Sequence, residues 1–291
     1  MKKIIIFGSN GLFGKNLQYR LSKDKYNLIL HSRHNNSDLS FNLFDQKEIE
    51  KCLILHDPDV VINLAAMTEV DHCESNPQEA YLSNSLIPHN IAQSIINVNK
   101  DIYLIQFSTD HLYDSSCPSK EGDVIIKNSY ALSKFCGDMA VLQYPKSIVM
   151  RTNFFGKSIQ NSRDSFSDWI FNSLSDKIKI KLLNDVFFSP LSINTLIGII
   201  ENLTHQQPTG IFNVGSRSGL SKADFGVMFA KKLNLNLYLI ESISYKEANF
   251  YNANRPLDMR MNVIKYEDFF NETLPVLEEE VSLVVKDYLI D

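Results

Sequence analysis

The sequence predicts an α/β chain built on a doubly wound parallel sheet, and three observations lead there. Short unbroken apolar runs alternate with helical patterns through the first half of the chain. The runs are rich in Val, Ile and Leu and do not alternate with polar residues, as expected of strands buried on both faces. The first run, residues 4–7, ends directly in a glycine-spaced turn that opens a helical pattern.

Each element follows from its pattern. Residues 4–7 form the first strand, closed at Gly8. Residues 12–21 have helical spacing, with Leu12, Phe13, Leu17 and Leu21 on one side. Residues 26–31 read as the second strand and residues 39–41 as a weaker third. Residues 46–56 read as a helix ending before Pro58, and residues 60–64 as a buried strand. Residues 78–97 carry a long helical pattern interrupted near Pro88. Residues 102–107 and 147–151 supply two more strands. Strands separated by helices imply βαβ units. Beyond Thr152 the regularity weakens. Residues 165–174 and 193–203 read as helices, 210–214 as a short strand, and 222–233 as an amphipathic helix capped by Ser221. The last helix spans 278–289, with Val281, Val284, Val285 and Leu289 facing the core. The polar stretch 115–128 reads as a loop long enough to be functional.

At 291 residues the chain is long enough for about two domains. Hydrophobic residues make up 44% and charged residues 22%, which supports a sizeable core and argues against disorder. The net charge of −5, without a Lys/Arg run, excludes a broad basic surface for nucleic acid. Lys2 and Lys3 before an apolar run resemble the start of a signal peptide. The run stops after four residues at Gly8, so a cytoplasmic protein with no membrane segment is expected. Cys52, Cys73, Cys117 and Cys136 are widely spaced and read as reduced thiols. No histidines pair at ligand spacing, so no tightly held metal is expected.

Gly8, Gly11 and Gly14 recur at three-residue intervals straight after the first strand. A helix N-terminus offers unpaired N–H groups and partial positive charge, both suited to a pyrophosphate. Glycine lets the backbone turn sharply and lets phosphate approach closely. This context points to dinucleotide binding by Gly8, Asn10, Gly11, Leu12, Phe13 and Gly14. The second strand ends His31-Ser32-Arg33, with no carboxylate to hold a ribose 2′-hydroxyl. The Arg33 guanidinium suits a 2′-phosphate, so NADP(H) is expected ahead of NAD(H); the bland reading of Arg33 is a solvated loop residue. Asp45 either approaches the adenine or caps the helix that begins at Gln46.

Tyr130 and Lys134 lie four residues apart and share one helical face. A neighbouring ammonium favours the phenolate and brings a tyrosine's pKa down from about 10, making it a better proton donor at neutral pH. Alone this spacing is common by chance. Upstream, Ser108-Thr109-Asp110 closes a strand with hydroxyls at its C-terminal end, where open parallel sheets bind ligands.

With these elements in this order, the sequence resembles the extended short-chain dehydrogenase/reductase superfamily. Within it the chain is most similar to the dTDP-4-dehydrorhamnose reductase family, over nearly its whole length. Residues 58–71 with Glu74, the segment Ser108-Thr109-Asp110-His111-Leu112-Tyr113-Asp114, and Tyr130 and Lys134 with Gly137-Asp138 carry the resemblance. Arg151-Thr152 and Asn254-Arg255-Pro256-Leu257-Asp258-Met259-Arg260 add two later landmarks. The resemblance implies a Rossmann-type NAD(P)-binding domain over 1–152 and a smaller C-terminal α/β substrate-binding lobe over 153–291, with some segments returning to the first. It implies hydride transfer from NADP(H) to the C4 ketone of a nucleotide-linked 4-keto-6-deoxy sugar, in polysaccharide or glycoconjugate synthesis. Tyr130 would be the general acid. Lys134 would lower its pKa and hold the nicotinamide ribose, and Thr109 would hydrogen-bond the reacting carbonyl. Ala65 and Ala66 would line the cofactor. Thr68, Val70, Asp110, His111, Asn153, Phe154 and Arg255 would contact the sugar nucleotide, Arg255 at its pyrophosphate. The resemblance leaves a Mg²⁺ requirement and a homodimer open.

The chain departs from the family at several positions. His111 replaces a usual tyrosine, Ala131 a common glycine, and residues 153–156 lack a usual tryptophan, whose role Phe154 takes in part. Related dehydratases carry Thr-Asp-Glu where this chain has Thr109-Asp110-His111, which disfavours dehydration. An epimerase or combined epimerase-reductase uses the same Tyr/Lys pair and is the alternative. A catalytically silent dinucleotide-binding regulatory subunit is the alternative of another class, opposed by the intact Thr109, Tyr130 and Lys134. Trp169 falls on an apolar helical face and reads as core. Ser189-Pro190 reads as a turn, and the run 278–280 as solvated acids beside a helix N-terminus.

Overall fold

The computed structural model describes residues 1–21, 24–33, 37–159 and 163–289. In chain order the elements begin with β1 (Lys2–Phe7), α1 (Leu12–Arg20), β2 (Tyr26–His31), α2 (Gln46–His56) and β3 (Val60–Asn63). There follow α3 (Val70–Ser75), α4 (Pro77–Tyr81), a π-helical turn (Leu82–Leu86) and α5 (Ile87–Val98). Next come β4 (Tyr103–Thr109), α6 (Ser129–Val141), β5 (Ser147–Thr152), β6 (Phe154–Phe155) and α7 (Phe166–Ser175). Three short strands, β7 (Ile180–Leu183), β8 (Phe187–Phe188) and β9 (Leu191–Ser192), precede α8 (Ile193–Gln206) and β10 (Gly210–Val214). The chain ends with β11 (Leu220–Ser221), α9 (Lys222–Lys232), β12 (Ile240–Ile243), α10 (Ile264–Phe270) and α11 (Leu277–Leu289). It divides into two compact units. One comprises residues 1–109, 128–151 and 197–211; the other comprises 110–127, 152–196 and 212–291.

The sheet of the first unit has the order β10-β5-β4-β3-β1-β2. β1 pairs in parallel with both β2 and β3, and β3 pairs in parallel with β4. The chain leaves β1 for β2 on one side and returns to β3 on the other. The strand order therefore reverses at β1, and the glycine turn opens at that switch point, where such sheets bind ligands. Ile5, Phe7, Val61, Leu104 and Val149 face a core closed by Ile49 and Leu53 of α2 and Ile91 and Ile95 of α5. Ile4, Ile6, Val60, Ile62 and Ile105, which alternate with them, are equally buried. Burial on both faces is why the runs are unbroken.

Residues 39–41, expected as a weak strand, make only a single bridge from Leu39 to His31. The long helix expected over 78–97 is three pieces, α4, the π turn and α5. The break lies upstream of Pro88. A proline ring collides with the carbonyl of the residue four earlier, here Asn84, and the π turn moves that carbonyl aside. α3 and α10 are too short for periodicity to reveal.

In the second unit β7 pairs in parallel with β12, and β6 with β9, while β8 pairs antiparallel with β11. Its core joins Ile170 of α7, Phe225 and Phe229 of α9, and Val281, Val284 and Val285 of α11. Ser221 caps α9 by accepting from the Asp224 N–H at 3.0 Å. The acidic run at the start of α11 is not uniformly solvated. Glu280 is buried, accepting from the Ser192 N–H and from the Thr195 hydroxyl at 2.7 Å. Its carboxylate thus serves the first turn of α8. No helix among the described residues is long and apolar enough to cross a membrane.

Candidate active site and cofactor cradle

In the first unit, the turn after β1 is held by backbone bonds from the Gly8 and Ser9 N–H groups to the His31 carbonyl, 3.1 and 3.0 Å. Gly8 has φ +80°, and a Cβ there would lie 2.6 Å from the Ala65 nitrogen. A Cβ on Gly14 would lie 2.5 Å from the Ser9 carbonyl oxygen. The turn can therefore close against residues 64–65 and lead into α1 only with glycine at both positions. Gly11 occupies the N-cap position of α1 without a side-chain acceptor, leaving the amides of the first turn to point outward. Asn63 orients the facing loop: its amide donates to Gln106 at 2.7 Å and its carbonyl accepts from the Ala65 N–H at 3.1 Å. Asn84, from the π turn, pairs with Met67 through both backbone groups, 2.8 and 2.9 Å, and donates to the Ser133 hydroxyl at 3.0 Å. Residues 65–67 are thus tied to α6.

Helix α6 begins at Asn128, whose side chain accepts from the Ala131 N–H at 2.8 Å. Tyr130 and Lys134 lie one turn apart on it, both buried. The Lys134 ammonium donates to the Phe107 carbonyl at 2.6 Å, which fixes it beside the end of β4, two residues before Thr109. Burial pulls the Lys134 pKa down to about 8, while the carboxylate of Asp138 acts to raise it. Asp138 is itself fully buried, accepting from Ser108 Oγ at 2.9 Å and from Arg151 Nε at 3.2 Å. Burial raises its pKa, and the Arg151 and Lys134 charges oppose that. Phe13 packs on Phe107 with ring centroids 4.8 Å apart.

The second unit carries its own polar cluster. Asp110 is buried and accepts from the Asn153 amide at 2.7 Å. Burial and the positive charges of Lys222 and Arg255 push the His111 imidazole down to about 3, so it is neutral at physiological pH. Arg255 lies over the Tyr251 ring at 4.7 Å, and its backbone N–H donates to the Tyr245 hydroxyl at 2.9 Å. A cavity of about 470 Å³ in this unit is lined by Phe166, Trp169, Lys179, Lys181, Lys222 and Tyr251 among others.

The RmlD substrate binding domain family matches residues 1–290 of the chain. The chain belongs to that family. It is 27% identical to a probable low-salt glycan biosynthesis reductase, Agl14, of Haloferax volcanii, over 95% of both chains. It is 24% identical to the dTDP-4-dehydrorhamnose reductase of Salmonella typhimurium, over 98% of this chain and 97% of that one. A crystal structure of dTDP-4-dehydrorhamnose reductase from Bacillus anthracis in complex with NADP superimposes with a TM-score of 0.89, at 22% identity over 98% and 99% of the two chains. That likeness establishes the fold, the Rossmann-type sheet expected from the sequence.

Within this family member, the first unit brings together the glycine turn, Ala65, Ala66, Thr109, Tyr130 and Lys134. Arg33 is exposed two residues beyond the end of β2. Asp45 caps α2 by accepting from the Lys47 N–H at 3.0 Å, which gives it a structural role. Thr68 is exposed, whereas Val70 is buried at the start of α3. The second unit gathers Asp110, His111, Asn153, Phe154 and Arg255. Trp169 is not core: it is 37% exposed, stacked on Phe166 at 5.9 Å, and lines the cavity. Lys222, Asp138 and Asn84 were not legible as site residues. Lys222 reads as an ordinary first-turn lysine, and only tertiary packing shows what it faces. Among the described residues, no group of three or more His, Cys, Asp or Glu could hold a metal ion.

Proposed function

We propose that the chain is an NADPH-dependent reductase of a nucleotide-linked 4-keto-6-deoxy sugar, of the dTDP-4-dehydrorhamnose reductase kind, working in glycan synthesis. The observation that carries this reading is that Tyr130 and Lys134 lie buried one turn apart on α6, with the Lys134 ammonium bonded to the Phe107 carbonyl of the strand that ends in Thr109. The names of the relatives, reductases of glycan and dTDP-sugar synthesis, support it.

The residues present fit a dinucleotide, because the turn at Gly8 and Gly14 leaves no room for a Cβ and presents helix amides. Gly8, Asn10, Gly11, Leu12, Phe13 and Gly14 would hold the pyrophosphate, Arg33 the 2′-phosphate, and Ala65 and Ala66 the side of the nicotinamide half. When bound, NADPH supplies the hydride. Lys134 holds the ribose and keeps positive charge beside the Tyr130 phenol. Thr109 donates a hydrogen bond to the C4 oxygen, and Tyr130 gives that oxygen its proton as negative charge develops there. Thr68, Val70, Asp110, His111, Asn153 and Phe154 would contact the sugar nucleotide, and Arg255 its diphosphate. The reading takes the enzyme to work in the cytoplasm, alone or as a homodimer.

The test is Tyr130→Phe, assayed by NADPH oxidation against a panel of nucleotide-linked 4-keto sugars. Removing the general acid lowers kcat by at least about a hundredfold, with NADPH affinity unchanged by fluorescence titration. Turnover that survives the substitution shows that the proton comes from elsewhere.

A further inference from the structure

Lys222 places a half-buried charge in the second unit. It is the first residue of α9, its backbone N–H bonded to the Val186 carbonyl at 2.9 Å, so the direction of its side chain is set by the fold. The ammonium lies 5.6 Å from the centre of the Phe166 ring and 5.9 Å from that of Phe188. Among the described residues it makes no ion pair and no side-chain hydrogen bond. Its charged neighbours are Asp110, which attracts it from beyond ion-pair distance, and Arg255, which repels it. The Asp110 carboxylate already accepts from Asn153. On its other side Lys222 opens on the 470 Å³ cavity, where Lys179 and Lys181 add positive charge and Trp169 and Tyr251 add aromatic walls. An ammonium half-withdrawn from water between two rings and beside a like charge is a costly arrangement unless an anion completes it.

We propose that Lys222 is a specificity-determining residue whose ammonium takes an anionic oxygen of the substrate in the second unit. The assignment rests on the reading of the chain as a nucleotide-sugar enzyme, and it adds a residue that the sequence did not single out. The anionic oxygen belongs either to the diphosphate or to an acidic substituent of the sugar, and the two sources separate experimentally.

Trp169 is the only tryptophan of the chain and lines the same cavity, so its fluorescence reports ligand binding there without turnover. The full-length protein is titrated with thymidine diphosphate and with thymidine, as wild type, Lys222→Met and Lys222→Arg. If the diphosphate is the partner, Lys222→Met weakens thymidine diphosphate about tenfold, leaves thymidine unchanged, and Lys222→Arg recovers most of the loss. If the sugar carries the anion, thymidine diphosphate binds all three alike, while Lys222→Met raises KM for the keto-sugar nucleotide about tenfold, more than it lowers kcat. Nucleotide affinity and KM both within about twofold of wild type overturn the proposal. A wild-type protein that reduces no nucleotide sugar, yet binds thymidine diphosphate through Lys222, refutes the reductase reading and not this one. Matching circular dichroism spectra and melting temperatures establish that the variants are folded.

Discussion

Asp138→Asn tests how Lys134, the lysine of the proposed catalytic pair, is held. The substitution keeps the shape of the side chain and removes one charge from a place where neither Asp138 nor Arg151 touches water. Arg151 then loses the carboxylate that accepts from its Nε, and the Ser108 hydroxyl loses a charged acceptor. Breaking a buried pair by removing one partner costs about 3–5 kcal/mol, enough to lower the urea midpoint by about 1–3 M if the slope is near 2 kcal/mol/M. The second readout is catalytic. Lys134 ionises near 8, and Asp138 is the charge holding that value up. The ammonium is present below this pKa and lost above it, so kcat/KM for ketone reduction falls as pH rises through about 8. Without Asp138 the alkaline limb moves to lower pH. The control is Asp138→Leu combined with Arg151→Met, which removes both members of the pair and recovers stability relative to Asp138→Asn, because the buried guanidinium goes with its carboxylate. A loss under about 1 kcal/mol, together with an unmoved alkaline limb, would refute the argument that this pair supports Lys134.

Two further outcomes concern the cofactor cradle. Gly8→Ala and Gly14→Ala each bring a Cβ within 2.6 Å of backbone atoms, so NADPH affinity measured by fluorescence titration falls sharply or the protein fails to fold. Gly122→Ala, where nothing lies within 4 Å, leaves both stability and affinity unchanged. Arg33→Ala lowers kcat/KM for NADPH about tenfold or more and leaves NADH nearly unaffected; equal losses with both cofactors count against its pairing with a 2′-phosphate.

The first unit was legible in the sequence because its signals are local. β2 runs from Tyr26 to His31 as the apolar run indicates, and in the second unit the equally local signal of Ser221 marks the cap of α9. The glycine-spaced turn itself was legible for a related reason: a turn that excludes Cβ atoms leaves a mark that needs no tertiary contact to be read. The failures have the opposite character. Leu39 reads as strand but gains one bridge, since pairing depends on the neighbour and not on the run. Glu280 looks like surface because its sequence neighbours are acidic, yet its oxygens satisfy α8, more than eighty residues earlier in the chain. Trp169 and Lys222 are the same kind of error at the candidate site. Helical periodicity assigned Trp169 to the core, but an aromatic face buries equally well against protein or beside a cavity. A first-turn lysine is ordinarily solvated, and only the rings of Phe166 and Phe188 around it show otherwise. Motifs therefore locate the chemistry that the family shares, whereas the residues that choose among substrates are set by packing between distant segments. That division is why the proposed reaction class rests on Thr109, Tyr130 and Lys134, while we propose that the identity of the sugar turns on positions such as His111 and Lys222.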